Sequence, residues 1–234
     1  KLEIDSGLGV FEETAPLKKV LMGGEPGSEA VLGILLPTKI SHFQEPFDVH
    51  KAREEFQRSK DLLEGSGVEV VQVKKLYANM LSAQGYKAEE SIESIKKRLT
   101  IKGVDYRRQY PQVVSKDKDV NISDWPDWLN EALKADEKEY GEDIAVGLNQ
   151  ICAGRKDDLP LANLMYARDQ SNLLLSTWIF SSMRHEIRQP EVDIYRSALS
   201  HAGILNDQSL DVVSISGKGQ FEGGDGIVHD NIVY

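Results

Sequence analysis

Three short clusters in the last third of the chain carry residue types that can hold a cation and an anion side by side. They are Asn163-Leu164-Met165-Tyr166-Ala167-Arg168-Asp169, Arg188-Gln189-Pro190-Glu191 and Phe221-Glu222-Gly223-Gly224-Asp225. Each sets fixed charge beside a turn or an apolar strand, where charge is costly unless something pairs with it. Carboxylates of two clusters, Asp169 and Glu222, can hold a cation. Arg188, from the third, can grip a carboxylate in a planar two-pronged contact. The set suits a small zwitterion with a guanidinium at one end and a carboxylate at the other.

Each cluster also has a plainer explanation. Arg168 and Asp169 can be a surface pair worth little, and Asn163 a turn residue. Glu191 in the first turn of a helix is favoured by the helix dipole whatever else it does. The dipole does not account for Arg188, which precedes that helix. Glu222 to Gly226 can be an acidic hairpin whose two glycines permit positive φ or a close approach. It does not match the glycine spacing of a phosphate-cradling loop, and its charge is wrong for phosphate. Glu222, Asp225 and Asp230 are hard oxygen ligands that a divalent cation could use, although they lack the alternating spacing of a calcium loop. None of the five histidines, His42, His50, His185, His201 and His229, stands in a metal-type pair. They are read as structural or solvent-facing, and no metal or cofactor is expected.

The elements that must position these groups follow a repeated pattern. Leu17–Met22 reads as a strand, Asp48–Glu64 as a helix with the apolar stripe Val49, Ala52, Phe56 and Leu63, and Val68–Val73 as a second strand. Gly65 and Gly67 suit the helix end. Further on, Leu173–Phe180 reads as a strand and a helix begins near Pro190, with stripe Val192, Tyr195, Leu199 and Ala202. Gly203 stops it, and Leu210–Ile215 is the next strand. Phe221–Tyr234 resembles the opening of a third copy. Repetition of one supersecondary unit points to a radial or stacked architecture. Between the copies, about Tyr77 to Pro160, lies a charged, helix-patterned insertion. It has helices over Lys87–Leu99, from a cap at Ser123 or Asp124 through Trp128, Leu129, Ala132 and Leu133, and over Glu142–Cys152. A loop is expected over 103–122. The divisions expected are 1–76, 77–160 and 161–234.

The chain has 234 residues with a formal net charge of -10 and a pI near 5.1. That balance argues against a non-specific nucleic-acid binder, which needs a basic face for phosphates. The single cysteine, Cys152, cannot form an internal disulfide or a multi-thiolate metal site. It is expected as a partly buried core residue rather than a nucleophile. No apolar run reaches the length of a membrane span, so a cytoplasmic protein with a small-molecule ligand and no membrane partner is expected.

In order, the clusters resemble the arginine deiminase family of guanidine-modifying enzymes, a superfamily that includes the amidinotransferases. The opening Gly9-Val10-Phe11-Glu12-Glu13-Thr14-Ala15-Pro16-Leu17 through Met22 resembles that family's first strand, and Ala52 to Val73 the unit that follows. The helical insertion falls where arginine deiminases carry a helical subdomain. The resemblance implies an α/β fold forming part of a five-bladed α/β propeller (pentein). The chain would supply the first blade, the insertion, the second blade and the start of the third.

By resemblance, the guanidinium-binding acids fall on Asp169 and Glu222. The carboxylate anchors fall on Asn163 and Arg188, Tyr166 stands near the guanidinium, Asp225 serves the substrate site, and Arg168 and Glu191 support it. Gln170 departs from the family's usual proline. The family's nucleophilic cysteine and acid/base histidine lie beyond the Glu-Gly-Gly-Asp motif and are expected outside this sequence. His229-Asp230 does not fit that histidine. The activity implied is hydrolysis of L-arginine to citrulline and ammonia through a covalent cysteine adduct. Amidinotransfer, an ornithine-forming dihydrolase reaction and a non-catalytic binding fragment remain as alternatives. Homo-oligomers are common in the family.

Overall fold

The computed structural model describes residues 9–27, 29, 30, 33, 43, 48–97, 125–152, 161, 163–185, 188–216 and 219–234. Strand β1 (Lys19–Met22) pairs in parallel with β2 (Glu69–Gln72), Val20 opposite Val70. Helix α1 (Val49–Gly65) connects them. Asp48 caps it, its Oδ1 accepting the N–H of His50 at 2.9 Å and of Lys51 at 3.2 Å, which satisfies donors the first turn leaves open. Gly65 proves to be the last helical residue, and the left-handed position is Gly67, at φ 81°.

Val73, expected as the end of a strand, instead starts helix α2 (Val73–Ala83) with no break after β2. The Lys74 N–H donates to the Gly23 carbonyl at the end of β1, 3.0 Å away. That bond turns the chain, and it leaves Val73 fully buried. The helix runs across residues 76 and 77 without interruption.

Residues 173–180, expected as one strand, form a hairpin. Strand β3 (Ser171–Leu174) runs antiparallel to β4 (Thr177–Phe180), Leu174 opposite Thr177, leaving Leu175 and Ser176 as the turn. Leu175 has φ 55°, an uncommon conformation for a residue with a side chain. Reciprocal backbone hydrogen bonds to Val10, both 2.8 Å, hold it there. That long-range contact has no local sequence signature. Strand β4 also pairs in parallel with β5 (Asp211–Ser214), Trp178 opposite Val212, and helix α6 (Gln189–His201) connects the two. The strand–helix–strand repeat is therefore present twice.

The main core lies under α6. Val192, Tyr195, Ala198 and Leu199 pack with Trp178 and Phe180 of β4, Val73 of α2 and Leu164. Tyr195 is fully buried, and its hydroxyl donates to the Leu164 carbonyl at 2.7 Å. The helical segment contributes α3 (Trp125–Tyr140) and α4 (Glu142–Cys152), the latter with the bounds expected. Leu129 and Leu133 of α3 meet Val146 of α4 and Ile95. Ile144 and Leu148 of α4 pack on Ala78 and Leu81 of α2. The preceding helix begins at Ile92 rather than at Lys87. There Asp143 takes the Lys87 ammonium at 2.9 Å and the Ala88 N–H at 3.0 Å. The expected loop at 103–122, the cap at Ser123 or Asp124, His42 and the side chains of Trp128 and Cys152 lie outside the described residues.

Strands β6 (Val228–His229) and β7 (Ile232–Val233) form a small antiparallel hairpin around Asp230 and Asn231, at φ 50° and 60°. The described residues thus hold two-, three- and two-stranded sheets with helices between them, an α/β arrangement, and no closed sheet. No described helix is long and apolar enough to cross a membrane.

Candidate active site

Asp169 is carried on a one-turn helix, α5 (Ala167–Gln170), that leads directly into β3. The preceding turn is closed by the Tyr166 N–H on the Asn163 carbonyl, 3.0 Å. This turn is pressed against the end of β1. A Cβ at Gly23 would lie 2.5 Å from the Leu164 carbonyl oxygen and 2.6 Å from Met165 Cα, so no other residue fits there. Tyr166 leaves its ring about half exposed beside Asp169, whereas Asn163 is buried.

Arg188 is the N-cap residue of α6, with Pro190 in the first turn. Its guanidinium is almost fully buried between two carboxylates. Nη1 lies 3.0 Å from Asp169 Oδ2, and Nε donates to Glu191 Oε2 at 3.1 Å. Nη2 also sits 3.1 Å from Glu191 Oε2. It lacks hydrogen-bond alignment there and counts as a buried donor still to be satisfied. Glu191 is 1% exposed. Burial raises its pKa, against the lowering influence of Arg188, Gln170 and the Asn163 N–H. Asp169 is the outward member, 36% exposed in its side chain. Two carboxylates around one guanidinium leave a local excess of negative charge, and Asp169 is where it reaches the surface.

The third cluster is brought beside the first. Ser182, following β4, forms an antiparallel bridge with Phe221. The next residues form a 3-10 turn at Gly223–Asp225, whose cap is reciprocal: the Glu222 side chain accepts the Asp225 N–H while Asp225 accepts the Glu222 N–H at 2.8 Å. Glu222 Oε1 also accepts the Arg184 N–H at 3.0 Å. Arg168 clamps the loop, Nε donating to the Gly223 carbonyl at 3.0 Å and Nη2 to the Gly226 carbonyl at 3.2 Å. Asn172 adds a bond to the Gly223 carbonyl at 3.1 Å. Neither Gly223 nor Gly224 has positive φ. Gly223 is needed for proximity instead, because its Cβ would collide with the Arg168 carbonyl. Gly223→Ala is expected to cost about 3 kcal/mol in urea denaturation, while Gly224→Ala, facing open space, stays near wild type.

The structure therefore joins Asp169, Arg188, Glu191 and the Asn163 turn in one hydrogen-bonded group. Arg168 ties that group to the Glu222–Asp225 loop. In comparison with known families, the arginine deiminase family model matches residues 42–234. The chain belongs to the arginine deiminase family. No curated protein matches it. Membership brings a hydrolase type of function on guanidino compounds, within arginine metabolism, and a small guanidino molecule as substrate.

Two features of this arginine deiminase-family chain escaped the sequence reading. Gln170, noted there only as a departure, is fully buried and bonded into the carboxylate group. The other is a clasp between distant segments. His229 Nδ1 lies 3.2 Å from Glu12 Oε1, and the Asp230 N–H donates to Glu12 Oε2 at 3.0 Å. Potential ligand atoms of Glu12, His229 and Asp230 lie within 4.8 Å of one another, close enough to share a cation. Asp230 thus groups with Glu12, not with Glu222 and Asp225. Separation along the chain hides this contact from any local pattern.

The clasp is pH-dependent with a definite sign. The Asp230 N–H, then His229, hold Glu12 down to about 2 from 4.5, while Glu12 and Asp230 raise His229 above 6.5. The Glu12 contribution is complete above 4.5 and lost as pH falls toward 2. The His229 contribution is complete below 6.5 and lost as pH rises through its raised value. Amide exchange at Asp230, corrected for intrinsic rate, is expected to be slowest between these limits, and His229→Gln to lose the alkaline limb of that dependence while keeping the acid limb set by Glu12.

Proposed function

We propose that the site works as an arginine deiminase, hydrolysing L-arginine to citrulline and ammonia. Family membership supports this reading, and one observation carries it: the negative excess of the Asp169–Arg188–Glu191 group surfaces at Asp169, beside a loop presenting Glu222. Asp169 and Glu222 pair with the substrate guanidinium. Arg188 and Asn163 serve its amino-acid end, Tyr166 flanks the guanidinium, and Asp225, Arg168 and Glu191 support the others. A cysteine thiolate attacks the guanidinium carbon, forming a C–S bond as the C–N bond breaks and ammonia leaves with a proton from a histidine. Water then adds to the same carbon, the C–S bond breaks, and citrulline leaves with the thiolate restored. None of the residues assigned above supplies the thiolate or the histidine. In this reading the protein folds as part of a pentein propeller and acts in the cytoplasm.

The test is product analysis of L-arginine incubated with a polypeptide that carries residues 1–234 together with the cysteine and histidine this reading requires. Citrulline and ammonia in equal amounts are expected. Ornithine with further ammonia would mean a second hydrolysis, and a new guanidino compound formed with an added amine would mean amidinotransfer. Either result replaces the reading, as does the absence of any guanidino turnover.

A further inference from the structure

The surroundings of Glu191 contain a side-chain donor that carries no charge. Gln170 ends α5 and is fully buried. Its main-chain carbonyl accepts the Ser181 N–H at 3.1 Å, which fixes it beside the end of β4. Its Nε2 donates twice, to Glu191 Oε2 at 2.6 Å and to the Asn163 carbonyl at 3.0 Å. Glu191 Oε1 in turn accepts the Asn163 N–H at 3.3 Å. The side-chain amide thus bridges the Asn163 turn and the buried carboxylate. Arg188 links the same carboxylate oxygen to Asp169, the residue next to Gln170 in the chain.

The charge of this arrangement matters. A buried carboxylate needs donors, and without Gln170 only Arg188 and the Asn163 N–H supply them. Gln170 provides the shortest bond to Glu191 without cancelling charge. A lysine or arginine there would neutralise the group and remove its attraction for a cation. An apolar residue would leave Glu191 short of a donor, and Glu191 would take up a proton instead. Protonated Glu191 no longer competes for Arg188, whose guanidinium then settles on Asp169. That is the carboxylate the substrate cation must reach.

We propose that Gln170 is a positioning residue that keeps Glu191 ionised and Arg188 divided between Glu191 and Asp169, leaving Asp169 open to the substrate's guanidinium. This rests on the functional reading given above. The charged and titratable groups facing Glu191 are Arg188 on its own helix end, Asp169 on α5 and Tyr195 one helical turn on. Tyr195 stays neutral, because burial holds its pKa well above 10.0. Burial already biases Glu191 toward the protonated form, so loss of a neutral donor moves its titration further up in pH.

Two variants give opposite signs. Gln170→Leu removes the donor, so its deficit against wild type is greatest in acid. Gln170→Glu keeps the shape. In acid its carboxyl is protonated and donates to Glu191; at higher pH two buried carboxylates face each other, and its deficit is greatest there. L-arginine affinity by titration calorimetry, followed from about pH 5 to about pH 8, reads both. Gln170→Leu is expected about tenfold weaker than wild type at the acid end, converging on it at the alkaline end, and Gln170→Glu the reverse. A merely structural role predicts the same offset at every pH for both variants, and that result overturns the proposal while leaving the functional reading intact. If wild type binds neither arginine nor any other guanidino compound, the functional reading falls and takes this proposal with it.

Discussion

Asp169→Ala lowers kcat/KM for L-arginine by roughly a thousandfold, an expected loss of about 4 kcal/mol for a truncated charge pair with the substrate. The argument rests on placement. Asp169 Oδ2 is fixed by Arg188 at 3.0 Å, yet the side chain is 36% exposed. One oxygen is anchored by the protein, so the other can meet a cation with little loss of conformational freedom. Removing the carboxylate eliminates the partner and also converts the local charge from net negative to near neutral, since Arg188 and Glu191 remain. Asp169→Asn retains shape and loses the charge, so it should fall nearly as far. Both variants should fold, because Arg188 keeps Glu191. A loss smaller than tenfold for Asp169→Ala, measured by steady-state kinetics on folded protein, would remove Asp169 from the substrate site.

Arg188→Ala has its largest effect on stability. Truncating one partner of a buried ion pair costs about 3–5 kcal/mol, because the other charge is left uncompensated. Glu191 is that partner, with 1% exposure and only Gln170 and the Asn163 N–H remaining as donors. The cost has a pH signature. Burial already raises the Glu191 pKa, and without Arg188 it rises further. Stability from a raised carboxyl group is present below its unfolded pKa and lost as pH rises through its folded pKa. Urea denaturation should therefore show the variant falling away from wild type as pH increases and approaching it in acid. A deficit independent of pH would mean that Glu191 is not the group left unpaired.

Much of the architecture could be read from local pattern. The helices α1 and α6 announce themselves by apolar stripes and by end residues such as Asp48 and Gly203. The strand–helix–strand order is legible too, and a helix between two strands is what lets them pair in parallel. What escaped the pattern depended on distant groups. The hairpin at Leu175 has its unusual backbone set by Val10, and α2 begins where it does because Gly23 offers a carbonyl. The candidate site divides in the same way. Charged residues near turns marked Asp169, Arg188 and Glu222. Gln170 gave no such mark, because a buried amide looks like any other polar residue until its partners are known. His229 reads as structural or solvent-facing because its partner Glu12 lies 217 positions away.

That separation governs when the Glu12 segment can be finished. Synthesis at roughly 5–20 residues per second places His229 in the chain about ten to forty seconds after Glu12. During that interval the segment around Glu12 has no clasp, and its two main-chain bonds to the far hairpin, Glu13 N–H to Val228 and Asn231 N–H to Phe11, each 3.3 Å, are missing as well. The helices and the Val10–Leu175 contact can form earlier, since all their residues emerge sooner. Closure of the Glu12 segment onto the 228–233 hairpin thus follows closure of those elements. Nascent chains halted before residue 229 should be cut by protease near Glu12, and chains that include the folded 228–233 hairpin should not.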